Sequence, residues 1–425
     1  MSKRIYQEYP YLRSAAVTPK AVLRGEEEHA AAGVRYLKGC ITVLSEDSLF
    51  FPEGGGQPCD LGYMGGLRLS DVKDDKKSGL IVHRLEEGEL SFGEDRSLPC
   101  ELDWQRRFDH MQMHCAEHIV SGTFLRLYGV ENHGFHMGED YMTIDMTPGE
   151  DSPVSEITDE MIRTVELRSN EIVWEDLPVR TVYYDTREEA NSQPVRKQIL
   201  FDEDISVMFI GTEEEPVDCC ACCGTHVSST GQIGLISIQK SENYKGMLRL
   251  TLKAGRPAVT EALREQQSVL RLCRRFSAEP PELEDKVAAY ENKNGLIRKE
   301  LYDLKKDILA EEAGRVAEAA MAASASEGRA KPFSVHEFPM LQAADLQDLA
   351  HLLDGRLSGL AVLVSGKTPD AVLVSGGDPA CGSLVKDYAP IYQGKGGGNP
   401  KLARAIFKSR VDLELFIDLI DKHLR

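Results

Sequence analysis

Hydrophobic and polar positions change their period several times along the chain, and the changes mark out its parts. From about residue 15 to residue 100, short apolar runs at 34–36, 41–44, 66–69 and 80–83 are separated by glycine-rich turns. That pattern predicts the strands of a small antiparallel barrel. A helical period follows over 103–128, with Phe108, Met111, Ile119 and Phe124 near one side. A mixed segment then runs to about residue 252, with a helix predicted at 158–170 and strands at 179–184, 205–210 and 234–240. After Gly255 glycine nearly vanishes, and Ala, Glu, Lys, Leu and Arg dominate to about residue 323. Pro280-Pro281 interrupts this stretch and can start a second helix.

In that second helix Leu283, Val287, Tyr290, Asn294, Ile297, Leu301, Leu304 and Ile308 recur at spacings of four and three. This is a heptad seam, which predicts a coiled-coil-like hairpin or a dimer contact, with Asn294 favouring one register or partner. The small-residue run 320–330 reads as a linker. Beyond it, apolar strands at 360–364 and 371–374 alternate with helical segments, and a glycine-rich stretch runs from Gly394 to Asn399. The fold class expected is α+β and multidomain. Its parts are a β-barrel domain with a glycine-rich loop (1–100), an α+β domain (101–255), a helical arm (256–328) and a C-terminal α/β domain (329–425).

Length agrees with this division, because 425 residues exceed what one core serves. No apolar run reaches the roughly 18 residues of a membrane span, and the first residues lack the apolar core of a secretory signal. A cytoplasmic protein with no membrane partner is the simplest reading. Four of the ten cysteines, Cys219, Cys220, Cys222 and Cys223, crowd into five positions. Neighbours so close pair poorly, so the cluster reads as a metal or reactive-thiol site. The net charge of −19 opposes indiscriminate nucleic-acid binding but leaves room for local basic patches, as at 240–256, 264–275 and 395–410.

The most informative residues are His114 and His118. Four apart on a helix, they project from one face about 6 Å apart, close enough to share a metal. A second piece, Cys222-Cys223-Gly224-Thr225-His226, offers a thiolate and an imidazole that can converge from a turn. His114, His118, Cys222 and His226 make a tetrahedral nitrogen/sulfur set suited to one Zn2+ per chain, with Cys223 as the alternative thiolate. The string from His114 through Glu117 to His118 also matches the H-x-x-E-H pattern of a zinc metalloprotease, in which Glu117 would activate water. That reading needs a further glutamate ligand and leaves Cys222 and His226 unexplained. A third reading is a non-catalytic RNA-binding protein with a structural zinc.

His114-x-x-x-His118 followed by Cys222-x-Gly224-Thr225-His226-Val227 resembles the editing domain of alanyl-tRNA synthetase and its free-standing AlaX relatives. The run from Phe50 to Gly62 (FFPEGGGQPCDLG) is similar to that family's glycine-rich loop, and Gly396-Gly397-Gly398-Asn399-Pro400 to its C-terminal domain. Two departures stand out: Cys115 replaces the usual Thr or Ser, and Cys223 replaces a Gly. With no aminoacylation core ahead of the barrel, the chain is expected to be of the long free-standing type, acting in trans.

The resemblance implies a zinc-dependent aminoacyl-tRNA deacylase that clears mischarged tRNA-Ala. Seryl-tRNA-Ala would be the main target, glycyl-tRNA-Ala a second, and alanyl-tRNA-Ala would be spared. By position in the motif Gln57 would lie near the zinc and hydrogen-bond substrate or water. A polar group aimed at the serine hydroxyl separates serine from alanine, since alanine would leave that group unpaired. Thr143 or Thr225 can supply it. Lys395, Lys401 and Arg404 are the expected tRNA-backbone contacts, and a homodimer through the helical arm or C-terminal domain is an open possibility.

Overall fold

The computed structural model describes residues 4–24, 40–202, 205–212, 214–324 and 332–425. The strand expected at 34–36 and residues 325–330 of the expected linker lie outside these, while 320–324 continue a helix. The chain forms two compact units, Met1–Arg271 and Leu272–Arg425.

The first unit begins with an antiparallel sheet of seven strands among the described residues: β1 (Ser14–Val17), β2 (Ala21–Arg24), β3 (Cys40–Ser45), β4 (Gly62–Met64), β5 (Leu67–Asp75), β6 (Leu80–Glu86) and β7 (Leu98–Leu102). Their order is β1-β7-β4-β5-β6-β3-β2. Among the described residues this ladder has two ends, β1 and β2, where a closed barrel was expected. Alternate residues of the strands fill one core, including Val43, Leu69, Val72, Ile81 and Leu85.

Between β3 and β4 lies the glycine-rich loop, held from beneath by a buried ion pair. Asp60 accepts a 2.6 Å bond from the Phe51 amide and pairs with the Arg107 guanidinium through Nε (2.8 Å) and Nη2. Arg107 also donates to the carbonyls of Pro10 (2.8 Å) and Leu49 (3.0 Å), and both charged side chains are fully buried. The Asp of the loop motif is therefore structural.

Arg107 belongs to the helix Trp104–Tyr128, the axis of the unit. Asp103 caps it by accepting from the Arg106 amide at 3.1 Å, and Gly129 ends it in the left-handed region (φ 62°). The helix is buried on every side from Arg107 to Phe124 because three layers surround it. Four strands, β8 (Val130–Met137), β9 (Met142–Pro148), β13 (Ile236–Tyr244) and β14 (Met247–Ala254), form a sheet ordered β13-β14-β9-β8. A second helix, Asp159–Trp174, packs against the first, and Thr158 caps it by accepting from the Met161 amide at 3.3 Å. The third layer is the sheet of β10 (Val179–Tyr184), β11 (Ile205–Gly211) and β12 (Pro216–Ala221), whose β12 lies on the central helix.

In the second unit, helix Leu283–Ser324 contributes Leu309, Ala313, Val316, Ala317 and Ala320 to one core. Here the strands β15 (Phe333–Phe338), β16 (Leu360–Ser365), β17 (Asp370–Ser375), β18 (Lys395–Gly398) and β19 (Leu402–Ile406) run in the order β15-β16-β17-β19-β18. The last turns of the expected arm are thus part of the C-terminal core. The glycine-rich stretch is the edge strand β18 rather than a loop. Helix Cys381–Tyr388 packs over it so closely that a Cβ on Gly382 would lie 2.6 Å from the Gly398 carbonyl.

Removing one member of a buried ion pair leaves an uncompensated charge. Arg107→Met is therefore expected to lower unfolding stability by about 3–5 kcal/mol in chemical denaturation. A loss under about 1 kcal/mol would show that the pair does not anchor the loop.

Candidate metal centre

The central helix presents His114 and His118 one turn apart, their rings stacked at 5.2 Å. Strand β12 ends at Ala221 and delivers the turn carrying Cys222 and His226. The turn is pinned at both ends. The Cys222 amide donates to the Ser206 carbonyl (3.0 Å), and the Thr225 amide donates to Gln57 Oε1 (3.1 Å). Gly224 faces the His114 ring so closely that a Cβ there would lie 2.2 Å from it.

In this arrangement the ligand atoms of His114, His118, Cys222 and His226 all lie within 4.8 Å of one another. Cys222 Sγ is 3.3 Å from His114 Nε2 and 3.4 Å from His226 Nε2. Two donors on one tetrahedral zinc stand about 3.6 Å apart when one is sulfur and the other nitrogen. The outward-facing nitrogens are tied down. His114 Nδ1–H donates to Gln57 Oε1 and His118 Nδ1–H to Asp218 Oδ2, each at 2.8 Å. This fixes the tautomer that turns both Nε2 lone pairs inward. His118 Nε2 is buried with no hydrogen-bond partner in the protein, which suits a metal ligand. Burial holds His114 neutral, pulled down to about 3, lowers His226 well below its ordinary value and raises the Cys222 thiol well above its own. Three imidazoles and one thiol that must lose its proton fit a divalent ion.

The thiol that joins the group is Cys222. Exposed Cys223 lies against the glycine loop, its Sγ 3.1 Å from where a Gly55 Cβ would stand. Cys115 turns into the hydrophobic core. All ten cysteines are free thiols.

Gln57 is fully buried, its Oε1 taken by His114 and Thr225 and its Nε2 donating to Thr225 Oγ1 at 2.9 Å. Its bonds thus run to two members of the candidate site. Thr143 is displaced from expectation. On β9, Ile144 faces inward opposite Phe135, whose ring stacks on His114 at 5.1 Å. Strand alternation therefore turns Thr143, paired with His136 and Thr251, to the opposite face. Thr225 remains beside the group, one residue from His226.

Glu117 is occupied elsewhere. Its Oε1 accepts from Ser121 (2.6 Å) and Asn132 (2.7 Å), and Arg196 lies 3.8 Å away. His110 is buried without a partner and lies outside the group. Two residues escaped sequence reasoning, Asp218 and Phe135. Asp218 had a signal, since it lies four residues before Cys222 on a strand leading into the ligand turn. Phe135 had none beyond its place on a strand.

In the second unit, Lys395 is exposed on the edge strand β18. Arg404 sits opposite Gly397 in the ladder and leans to Asp370 at 3.5 Å. Lys395 and Arg404 share one face of the sheet by alternation, whereas Lys401 pairs with Asp354 at 3.0 Å.

Comparison with known proteins finds a family likeness in one segment and a longer one beyond it. Residues 205–251, which include Asp218, Cys222 and His226, match the family described as threonyl and alanyl tRNA synthetase second additional domain. Beyond that segment, the resemblance to a long alanyl-tRNA editing protein runs the length of the chain. It is 28% identical over 438 residues to the alanyl-tRNA editing protein AlaX-L of Pyrococcus horikoshii, covering 99% of this chain and 98% of that protein. It is also 28% identical to the alanine–tRNA ligase of Methanopyrus kandleri, over 88% of this chain and 40% of the ligase, so it spans about two fifths of that relative. A solved C-Ala domain from Aquifex aeolicus alanyl-tRNA synthetase aligns with 23% of this chain at 19% identity, with a TM-score of 0.21.

Outer-shell partners of metal-bound histidines are worth about 10–100-fold in metal affinity. Asp218→Asn is expected to weaken zinc binding in that range, read by competition with a chromogenic chelator. Unchanged affinity would remove Asp218 from the centre.

Proposed function

We propose that this chain hydrolyses the aminoacyl ester of mischarged tRNA-Ala, seryl-tRNA-Ala foremost, at a zinc held by His114, His118, Cys222 and His226. The observation that carries the reading is the buried convergence of these donors, with His114 and His118 locked by Gln57 and Asp218. The likeness to AlaX-L over nearly the full chain supports it.

When bound, zinc supplies a positive centre that can polarise an ester carbonyl and favour ionisation of water near neutral pH. The protein's own residues supply position. Gln57 and Asp218 hold the imidazole tautomers, and Phe135 covers one face of His114. An aminoacyl ester is already activated, so fixing it beside such a centre needs no further nucleophile from the chain.

Glu117 is a poor base for a protease, because Ser121 and Asn132 bond its Oε1 and Arg196 lies 3.8 Å from the same oxygen. The metalloprotease reading has no other support in the site. For selectivity Thr225 is the better of the two threonines. Gln57 Nε2 donates to its oxygen, which leaves the hydroxyl proton free to meet a substrate hydroxyl. Lys395 and Arg404 are proposed contacts for the tRNA backbone, each adding attraction independent of sequence.

Incubation with seryl- and alanyl-tRNA-Ala tests the reading. Serine is expected to be released and alanine retained, with release lost in Cys222→Ala. No cleavage of either ester by zinc-loaded protein would reject the assignment. Thr225→Val is expected to slow serine release about tenfold or more while leaving zinc content unchanged, since one buried hydrogen bond is lost. An unaltered rate would exclude Thr225 as the discriminating group.

A further inference from the structure

Behind His118 lies a buried cation that the proposed chemistry leaves unused. Two carboxylates converge on the outer nitrogen of that imidazole. His118 Nδ1 is 2.8 Å from Asp218 Oδ2 and 3.8 Å from Glu117 Oε2. Each carboxylate is held by its other oxygen. Glu117 Oε1 accepts from Ser121 and Asn132. Asp218 Oδ1 has one charged neighbour among the described residues, Arg196, whose Nε stands 3.4 Å away. The same guanidinium reaches Glu117 Oε1 at 3.8 Å through Nη2 and donates from that nitrogen to Cys220 Sγ at 3.6 Å. Asp218 and Glu117 are buried, and the Arg196 side chain is 10% exposed.

Arg196 arrives from a part of the chain that carries none of the site motifs. The short helix Arg187–Asn191 leads into a segment that runs beside β12, where the Arg196 amide donates to the Cys219 carbonyl at 2.7 Å. The next residue, Lys197, donates to the Asn132 carbonyl on β8. Both β12 and β8 are end strands of their sheets. The segment therefore bridges two sheet edges and carries a guanidinium into the gap between them, directly behind a metal-ligating histidine.

Charge compensation alone would keep a cation between two buried carboxylates. Compensation does not require contact with one chosen oxygen, however, and here the guanidinium stands at the Asp218 oxygen that His118 does not use. We propose that Arg196 is a positioning residue of the metal centre, fixing the Asp218 carboxylate so that Oδ2 stays on His118 Nδ1–H and His118 Nε2 stays aimed at the ion. This rests on the zinc reading given above. Position and charge predict opposite signs for the loss of Arg196. Removing a cation from the neighbourhood of a bound cation strengthens zinc binding by Coulomb attraction. Releasing the carboxylate that orients a ligand weakens it, by the roughly 10–100-fold that such outer contacts carry.

Zinc affinity from chelator competition, with urea unfolding of the metal-free forms alongside, tests this in a double-mutant cycle. Arg196→Met is expected to weaken zinc binding about tenfold or more, and to cause no further loss in a chain that already carries Asp218→Asn. Should Arg196→Met fail to fold, Arg196→Lys keeps the buried charge. Its single, shorter-reaching ammonium cannot stand against both carboxylates, so a smaller loss of the same sign is expected, again absent beside Asp218→Asn. Zinc binding that is tighter or unchanged in the Arg196 variants overturns the proposal. An equal loss with and without Asp218 overturns it too, since that is the result for a residue that only stabilises the fold. An unsubstituted chain that binds no zinc rejects the metal centre itself, and the proposal falls with it.

Discussion

The carboxamide of Gln57 is the contact on which the candidate site depends. Its oxygen accepts from His114 Nδ1 and from the Thr225 amide, and its nitrogen donates to the Thr225 hydroxyl. Three segments far apart in sequence are thereby fixed together: the glycine loop after β3, the central helix, and the turn carrying Cys222. The loop can reach because Gly56 adopts φ 81° and lies against Phe135, where a Cβ would come within 2.5 Å of the ring. Beneath, the buried Arg107–Asp60 pair ties the same loop to the same helix. The glycine-rich loop from Phe50 to Gly62 is thus anchored to the central helix at both Asp60 and Gln57.

Much of this was legible in the sequence. The histidine pair, the Cys222–His226 spacing, the helix over 103–128 and most strand positions follow from periodicity and spacing. What was not legible depends on contacts across the fold. Gln57 was expected at the substrate from its place in the motif, and only the folded loop shows its oxygen taken by both His114 and Thr225. Thr143 was one residue out of phase, and strand parity is set by pairing with β8 and β14 rather than by Thr143 itself. The glycine run 394–399 reads as a loop by composition. It is largely a strand, paired with β19 so closely that a Cβ on Gly396 would lie 2.0 Å from the Arg404 carbonyl.

The division of the chain has a related cause. Composition changes near residues 255 and 328, but packing does not follow composition. The alanine-rich end of helix Leu283–Ser324 has the small side chains that allow close contact, and it completes the core beneath β16 and β17. Its preceding turns leave Ile297, Leu301 and Leu304 exposed, so the same helix is core at one end only.

X-ray absorption at the zinc edge on the purified, metal-loaded protein tests the central claim most directly. The account predicts one zinc per chain with a first shell of three nitrogens and one sulfur, the sulfur lost in Cys222→Ala. A shell of nitrogen and oxygen alone, or zinc that stays sulfur-bound in that variant, would contradict the assignment of these four residues.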